Sequence, residues 1–518
     1  MQTSRNQRIF DSIAVTLVGL ISVSYFVTAA KFASVRPFWM DEVLAVWTAR
    51  LPTVAAVWDA LGKGAEFSPP LYILFLQKII QLGAGNALML RLPSIVAVYI
   101  VGVAAFVLMR RRYSLPLAAL AMAICLIGGL FPFALQARPY ACVTACFALV
   151  LVIWDIPSDR SPSLWRAAAI LVLLVIAIGM NFYAVLLAAG VGLMELAWTA
   201  LHRRVRWLYV AAIALAILSI LLWLPIMQHV AAFNHSDSGA PNYYARPALD
   251  RLILAYIYLL VGHRQIWFSP LILLAPALLG GTLAMLLRRR PSTTHRSDLD
   301  NLNIIVVAMS VLPLLVYFFA LEVTHTFNCR YFAVAALGLA LLVARLVAAL
   351  PWSKAVACLL VTAALGISLT PATHLGLPKS PVQALALVDR APPNLPIATG
   401  NGLRFFELRE NAVPAIGDRI RYLESPTDAI SPDPTNQHQV ERWKTIAPQL
   451  AVSSIAEFLR SNSRFLLFSD TSGIDPLPAL LVEQGNRLRV IARAEDAYLA
   501  EVESTTSAAA VQSSLSRP

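Results

Sequence analysis

The chain has 518 residues, of which 58% are hydrophobic and only 14% charged, and its mean hydropathy is +0.68. A soluble globular chain is about one-quarter charged, so this balance excludes an ordinary soluble protein. Repeated apolar runs, each about 20 residues long and able as a helix to cross the roughly 30 Å hydrocarbon core, account for it and indicate a polytopic membrane protein. The formal charge of +12 does not indicate a nucleic-acid partner, because the basic residues are dispersed in short clusters beside apolar runs, as membrane topology requires.

The first apolar run, residues 10–32, is too long for a signal-peptide core and no small-residue cleavage site follows it, so it reads as a retained helix. Arg5 and Arg8 ahead of it place the N-terminus inside. Residues 33–86 are then an outer loop with juxtamembrane helices. Within it, residues 68–83 open with Pro69-Pro70 and carry Gln77, Lys78 and Gln81. That stretch reads as half-embedded, because counting it as a span would put Arg110-Arg111-Arg112 outside. Spans are predicted at 88–109, 115–131, 136–154, 165–180, 182–200 and 207–228, with His202-Arg203-Arg204 and Arg206 marking the inner side. A second outer loop, 229–266, contains His235, Tyr243-Tyr244 and an apolar segment, 248–262. Asp250 and Arg251 near the start of that segment favour an interfacial helix. Spans at 268–287, closed by Arg288-Arg289-Arg290, and at 302–321, 330–350 and 354–369 bring the total to eleven. The remainder lies outside.

From residue 371 the composition becomes that of a soluble domain. LPIATG, RIRYL, RFLLFSD and RLRVIAR read as strands, and 455–459 and 478–484 as helices, giving an extracytoplasmic α/β domain over 371–503. Residues 504–518 are Ser/Thr/Ala-rich and are expected to be disordered. Residues 1–370 form the transmembrane module. All five cysteines lie in or beside apolar segments, which argues against a disulfide framework. No internal repeat suggests a transporter built from two related halves.

This topology brings Asp41-Glu42, Gln136-Ala137-Arg138-Pro139-Tyr140, Asn181-Phe182-Tyr183 and Arg330-Tyr331 to one side of the membrane, at the ends of different helices. Adjacent residues on a helix point about 100° apart, so Asp41 and Glu42 do not form a two-carboxylate clamp. One is expected to face a cavity and the other a local partner. A carboxylate near apolar walls suits deprotonation of an acceptor hydroxyl, although an interfacial acidic pair starting a juxtamembrane helix is the commoner occurrence. Arginines at helix ends often snorkel to headgroups. On the outer side, where positive charge is not favoured, Arg138 and Arg330 are better explained by a phosphate that matches the guanidinium fork, and Lys78 is a third candidate cation. His235, His263 and His325 have no metal-motif spacing. Cys142 and Cys146, four apart, read as small packing residues. Gly400-Asn401-Gly402 is a turn signal only.

Five short elements in order, Trp39-Met40-Asp41-Glu42, Ser68-Pro69-Pro70-Leu71-Tyr72, Arg91-Leu92-Pro93-Ser94, Ala137-Arg138-Pro139-Tyr140 and Arg330-Tyr331-Phe332, resemble the GT-C superfamily of polytopic glycosyltransferases. The resemblance is to the branch of protein O-mannosyltransferases and lipid A aminoarabinose transferases, and it extends over residues 35–340. It implies an inverting transfer of a monosaccharide from a polyprenyl phosphate-linked donor to a glycan, lipid or protein acceptor, with Asp41 as general base. It also implies a bacterial inner membrane with the active site on the periplasmic side. Catalytic candidates are Asp41 and Glu42, and the candidates for donor phosphate and substrate are Arg138, Arg330, Lys78, Tyr72, Tyr140, Tyr331 and Tyr183. No cofactor is assigned, and the resemblance leaves a divalent cation at Asp41 open. Three positions depart from the family pattern: Ser68 where relatives often carry His or Lys, Gln136 where they often carry Glu, and Asn181-Phe182-Tyr183 where they tend to carry a His-Tyr pair. The competing reading is a non-enzymatic flippase for lipid-linked glycans. It would need polar residues along a path through the bilayer, and the spans at 88–109, 115–131, 268–287 and 354–369 carry almost none.

Overall fold

Long hydrophobic runs become helices whose backbone groups are satisfied internally, the arrangement that a bilayer demands. The computed structural model describes residues 2–156, 163–228, 245–262, 280, 296–369, 380–424, 434–471 and 475–504. Among them, five helices are long and apolar enough to cross a membrane: Gln7–Val35, Ala87–Arg110, Ala184–His202, Trp207–Gln228 and Asn301–Thr324. Five shorter apolar helices, Leu115–Ile127, Tyr140–Trp154, Leu164–Met180, Ala335–Ala348 and Ser353–Ser368, occupy five more of the predicted spans. The span predicted at 268–287 and its arginine triplet lie, apart from Gly280, outside the described residues, as do His235, Tyr243, Tyr244, His263 and the tail from 505 onward.

Contacts divide the chain into two units. The described residues of the first are 2–35, 68–156, 163–228, 245–262, 280 and 296–369, and those of the second are 36–67, 380–424, 434–471 and 475–504. The division differs from the expected boundary at 370 in one important respect. Residues 36–67, expected to belong with the transmembrane helices, fold with the C-terminal segment. The physical reason is a set of hydrogen bonds between the Gly402–Asn411 helix and residues 38–50.

In the first unit the Leu115–Ile127 helix is almost wholly buried, while the Gln7–Val35 helix beside it turns residues such as Val23 and Val27 outward. The span predicted at 115–131 stops at Ile127 because of Gly128-Gly129. A Cβ on Gly129 would lie 2.0 Å from the Tyr258 carbonyl oxygen, and one on Gly128 2.4 Å from that of Leu260. The two glycines therefore admit the end of the Leu249–Val261 helix against the backbone. That helix, expected at an interface, is packed into the unit through buried Leu252, Ala255, Tyr256 and Leu259, and Tyr256 donates to the Ser310 carbonyl at 2.7 Å. The predicted inner-face arginines are held by acids: Asp155, fully buried, pairs with Arg111 at 2.8 Å and Arg112 at 2.6 Å. Buried Glu195 receives Arg206, whose guanidinium also lies over the rings of Trp154 and Trp198.

The second unit contains a six-stranded sheet in the order β3-β2-β1-β4-β6-β5. Its strands are β1 (Ile397–Thr399), β2 (Ile420–Glu424), β3 (Val452–Ser454), β4 (Arg464–Asp470), β5 (Arg487–Arg493) and β6 (Ala497–Glu503). β1, β2, β3 and β4 are parallel, and β6 runs antiparallel to both β4 and β5. The four strand-like stretches read from sequence are β1, β2, β4 and β5, and the two helices are Ile455–Ser461 and Leu477–Glu483. β4 is buried from Phe465 to Ser469, as a central strand covered on both faces requires. β3 and β6 were not expected. AYLAEVE has the Ala, Leu and Glu of a helix, and pairing on both edges overrides that local preference.

Candidate functional site

In the first unit the predicted phosphate-binding residues gather around one ring. Arg138 follows the short Phe131–Ala134 helix and precedes Pro139, which caps the Tyr140–Trp154 helix. The span expected from 136 therefore begins at Tyr140, and 136–139 is the turn that carries Arg138. Arg138 is buried, and its Nη2 donates to the Tyr140 hydroxyl at 3.2 Å. Arg330 sits in a 3-10 turn, Cys329–Phe332, whose start is capped by Asn328, with Oδ1 accepting from Arg330 N at 3.2 Å. Both guanidinium groups lie 5.5 Å from the centroid of the Tyr140 ring.

Tyr331 receives Arg330 Nη2 at 3.4 Å and stacks on Tyr183, with centroids 4.0 Å apart and planes 2° from parallel. Tyr183 is presented by an Asn181 turn, in which Asn181 Oδ1 accepts from Tyr183 N at 2.9 Å, and its own hydroxyl donates to the Thr326 carbonyl at 3.4 Å. Arg138, Tyr140, Tyr183, Arg330 and Tyr331, five of the seven predicted binding residues, thus form one contiguous cluster. Two cations on the face of one buried tyrosine are each stabilised by about 0.5–2 kcal/mol of cation–π attraction, and together they make a positive region suited to an anion.

The other two predicted binding residues lie on the Pro70–Gln81 helix. Tyr72 is fully buried, whereas Lys78 is exposed and donates to Gln81 at 2.9 Å. Lys78 follows buried Gln77, and one step along a helix turns a side chain by about 100°. Lys78 is therefore on a different side of this helix from Gln77, and among the described residues no bond joins it to the Tyr140 cluster. Two residues of the Arg91-Leu92-Pro93-Ser94 element, which carried the resemblance but were given no role at the site, brace the cluster's surroundings. Ser94 donates to the Arg138 carbonyl at 3.3 Å, and fully buried Arg91 donates to the Ala33 carbonyl at 2.8 Å. The RLPS element therefore has a structural meaning.

In the second unit, Asp41 and Glu42 occupy the first turn of the Met40–Ala49 helix, where negative charge complements the helix dipole. Glu42 is fully buried, and its Oε2 accepts from Trp39 N at 3.3 Å, satisfying one of the main-chain donors at the helix start. Asp41 is partly exposed. The pair thus divides as helical geometry requires, Glu42 being turned to a local partner.

The surroundings of this helix come from the C-terminal segment. Asn411 Oδ1 accepts from Phe38 N at 2.7 Å, and Asn411 Nδ2 donates to Phe38 O at 2.7 Å. Glu407 Oε1 accepts from Met40 N at 3.3 Å. Trp47 Nε1 and Arg50 Nη1 both donate to Glu410 Oε2, at 2.8 and 2.7 Å. Further along, Gln439 and Trp443 donate to the Ala65 carbonyl, and Trp443 meets Trp47 edge to face. Burial pushes the Glu407 carboxyl up to about 7 against the opposing pull of Arg404, 3.1 Å away, and of the Arg36 charge. Burial likewise raises Asp475 to about 6, although Leu477 N and Ser469 Oγ both donate to it. None of these C-terminal partners was legible in the sequence, because each is separated from residues 38–65 by more than 350 positions.

Among the described residues, no three His, Cys, Asp or Glu side chains gather as a ligand set. His325 ends the stretch Ala320–Thr324 in a left-handed conformation, φ 51°.

No family model matches the chain, and no curated protein sequence matches it. Solved structures do. ArnT from Cupriavidus metallidurans bound to undecaprenyl phosphate aligns with a TM-score of 0.55 at 13% identity, covering 95% of this chain and 98% of that one. An Archaeoglobus fulgidus oligosaccharyltransferase in complex with Zn and sulfate aligns at 0.44 and 11% identity, over 88% of this chain and 68% of that one. The archaeal oligosaccharyltransferase AglB from the same organism, in complex with an inhibitory peptide and a dolichol-phosphate, aligns at 0.42 and 10% identity, over 87% and 69%. The likeness to ArnT extends over nearly the full length of both chains, and the two share a fold.

Proposed function

We propose that the protein is a membrane glycosyltransferase of the bacterial inner membrane that moves a monosaccharide, with inversion, from a polyprenyl phosphate-linked donor to an extracytoplasmic acceptor. The observation that carries this reading is the pair of guanidinium groups, Arg138 and Arg330, on the face of Tyr140 in a chain that shares the fold of ArnT. A lipid-linked donor keeps its tail in the bilayer and its cleavable bond at headgroup level, so it is matched by cations at the ends of apolar helices. The sheet over β1 to β6 is read as the extracytoplasmic α/β domain, and the membrane module is read as eleven spans.

In the proposed reaction Asp41 takes the proton of the acceptor hydroxyl, and the oxygen attacks the anomeric carbon from the face opposite the phosphate. The bond between that carbon and the phosphate oxygen breaks as the new bond forms. Its electron pair leaves with the polyprenyl phosphate, whose growing charge Arg138 and Arg330 stabilise. Glu42 holds the start of the Asp41 helix and is not assigned a proton. Tyr72, Tyr140, Tyr183 and Tyr331 are assigned to orienting donor groups.

The test uses the full-length protein in lipid nanodiscs with undecaprenyl phosphate carrying a radiolabelled hexose or pentose and a membrane extract as acceptor. Asp41→Asn is expected to lower turnover by about 10²- to 10⁴-fold, the usual contribution of a general base. Arg138→Gln is expected to lower it by about 10²- to 10³-fold, as for removal of one donor to a developing anion. Wild-type turnover in Asp41→Asn removes that residue from the mechanism. Movement of labelled lipid across proteoliposomes without acceptor, unchanged in Asp41→Asn, would support the flippase instead.

A further inference from the structure

The Gly402–Asn411 helix grips the segment leading into Asp41 by its main chain. Asn411 holds the N–H and the C=O of the same residue, Phe38, and the same amide nitrogen also donates to the Glu407 carbonyl at 2.8 Å, which ties the clamp back to its own helix. One turn earlier, Glu407 accepts from Met40 N, the first residue of the helix on which Asp41 is second. The first main-chain donors of a helix have no partner within it. Here Glu42 takes Trp39 N and Glu407 takes Met40 N. At the other end, Glu410 receives both Trp47 and Arg50. Three side chains of one helix, 407, 410 and 411, thus fix both ends of the other.

We propose that the Gly402–Asn411 helix positions Asp41. Asn411 and Glu407 set the angle at which the chain enters the Met40–Ala49 helix, and so the direction of the Asp41 carboxylate. The C-terminal segment then governs turnover rather than donor affinity. This rests on the assignment of Asp41 as general base. Its chemical basis is that a misplacement of about 1 Å at a reacting group costs on the order of 10²-fold in rate even when the altered residue touches no substrate.

The experiment measures two things on the full-length protein in nanodiscs: amide hydrogen exchange, which needs no substrate, and the kinetics of transfer from the labelled undecaprenyl phosphate donor. Asn411→Ala is expected to speed exchange in residues 38–46 while β1 and β4 stay protected. It is expected to lower kcat by about 10-fold or more with the donor KM within about twofold. Asn411→Asp keeps the acceptor for Phe38 N but loses the donor to Phe38 O, and is expected to lie between. If Asn411→Ala also exposes β1 and β4, Asn411→Asp alone decides. Unchanged exchange in residues 38–46, or a loss carried by KM, overturns the positioning role. Inactive Asp41→Asn beside Asn411 variants with wild-type kcat rejects this inference and leaves the glycosyltransferase reading standing. A fully active Asp41→Asn rejects the assignment on which the inference rests.

Discussion

Replacing Glu407 by Gln should make the second unit less sensitive to pH. The carboxyl is buried beside Met40 N and Arg404, and burial holds it at about 7 instead of the 4.5 of a free glutamate. The folded unit therefore binds this proton more tightly than the unfolded chain. The stabilisation is complete below pH 4.5 and is lost as the pH rises through 7, a difference of about 3 kcal/mol. Glutamine keeps a carbonyl acceptor for Met40 N and cannot titrate. Asp475, raised to about 6, acts in the same direction over a lower range, but it is common to both proteins and cancels in the comparison. The assay is thermal unfolding in detergent at half-unit steps from pH 4.5 to 8.5. It is followed by the fluorescence of Trp47 and Trp443, which pack together in this unit. For a unit of this size, about 3 kcal/mol corresponds to roughly 6–12 °C in the midpoint. The wild-type midpoint should fall by that much more than the variant's across the range. Parallel curves would refute the reasoning, because they would mean that Glu407 does not change protonation between the folded and unfolded states in this window.

Gly400→Ala places a Cβ 2.4 Å from Asp475 Oδ1 and 2.7 Å from Leu477 Cβ, so it should destabilise the second unit by about 1–3 kcal/mol, read as a lower midpoint for that unit. Gly129→Ala meets the Tyr258 carbonyl at 2.0 Å, where backbone faces backbone and cannot give way. It should lower the melting temperature of the first unit and free the Leu249–Val261 helix to protease more readily than Gly19→Ala, where no atom lies within 4 Å. Asp155→Asn leaves Arg111 and Arg112 facing a neutral amide at a fully buried position and should cost about 3–5 kcal/mol, visible as a shift in detergent unfolding.

Each part of the molecule was legible in sequence to the extent that its cause is local. Hydropathy over a window of about 20 residues locates the apolar helices, because a spanning helix satisfies its own backbone and needs no partner to be recognised. RFLLFSD is readable as β4 for a similar reason, its apolar run and β-favouring residues standing alone. The breaks at Gly128-Gly129 and before Tyr140 were placed several residues away, because a hydropathy window does not register a glycine that admits a neighbouring backbone. Side-chain direction was less accessible still. Lys78 and Gln77 are equally polar in the sequence, and only the packing of the Pro70–Gln81 helix turns one inward and the other out.

The order of short polar elements along the chain determined which residues to examine, and the charge clusters between apolar runs determined on which side to expect them. Tertiary structure alone decided that Arg138 and Arg330, nearly two hundred positions apart, share the ring of Tyr140. It alone decided that Phe38 and Met40 are held by Asn411 and Glu407. A sequence records which side chains can bond an anion or a main-chain amide. Which of them meet depends on packing summed over the whole unit, and no window along the chain contains that sum.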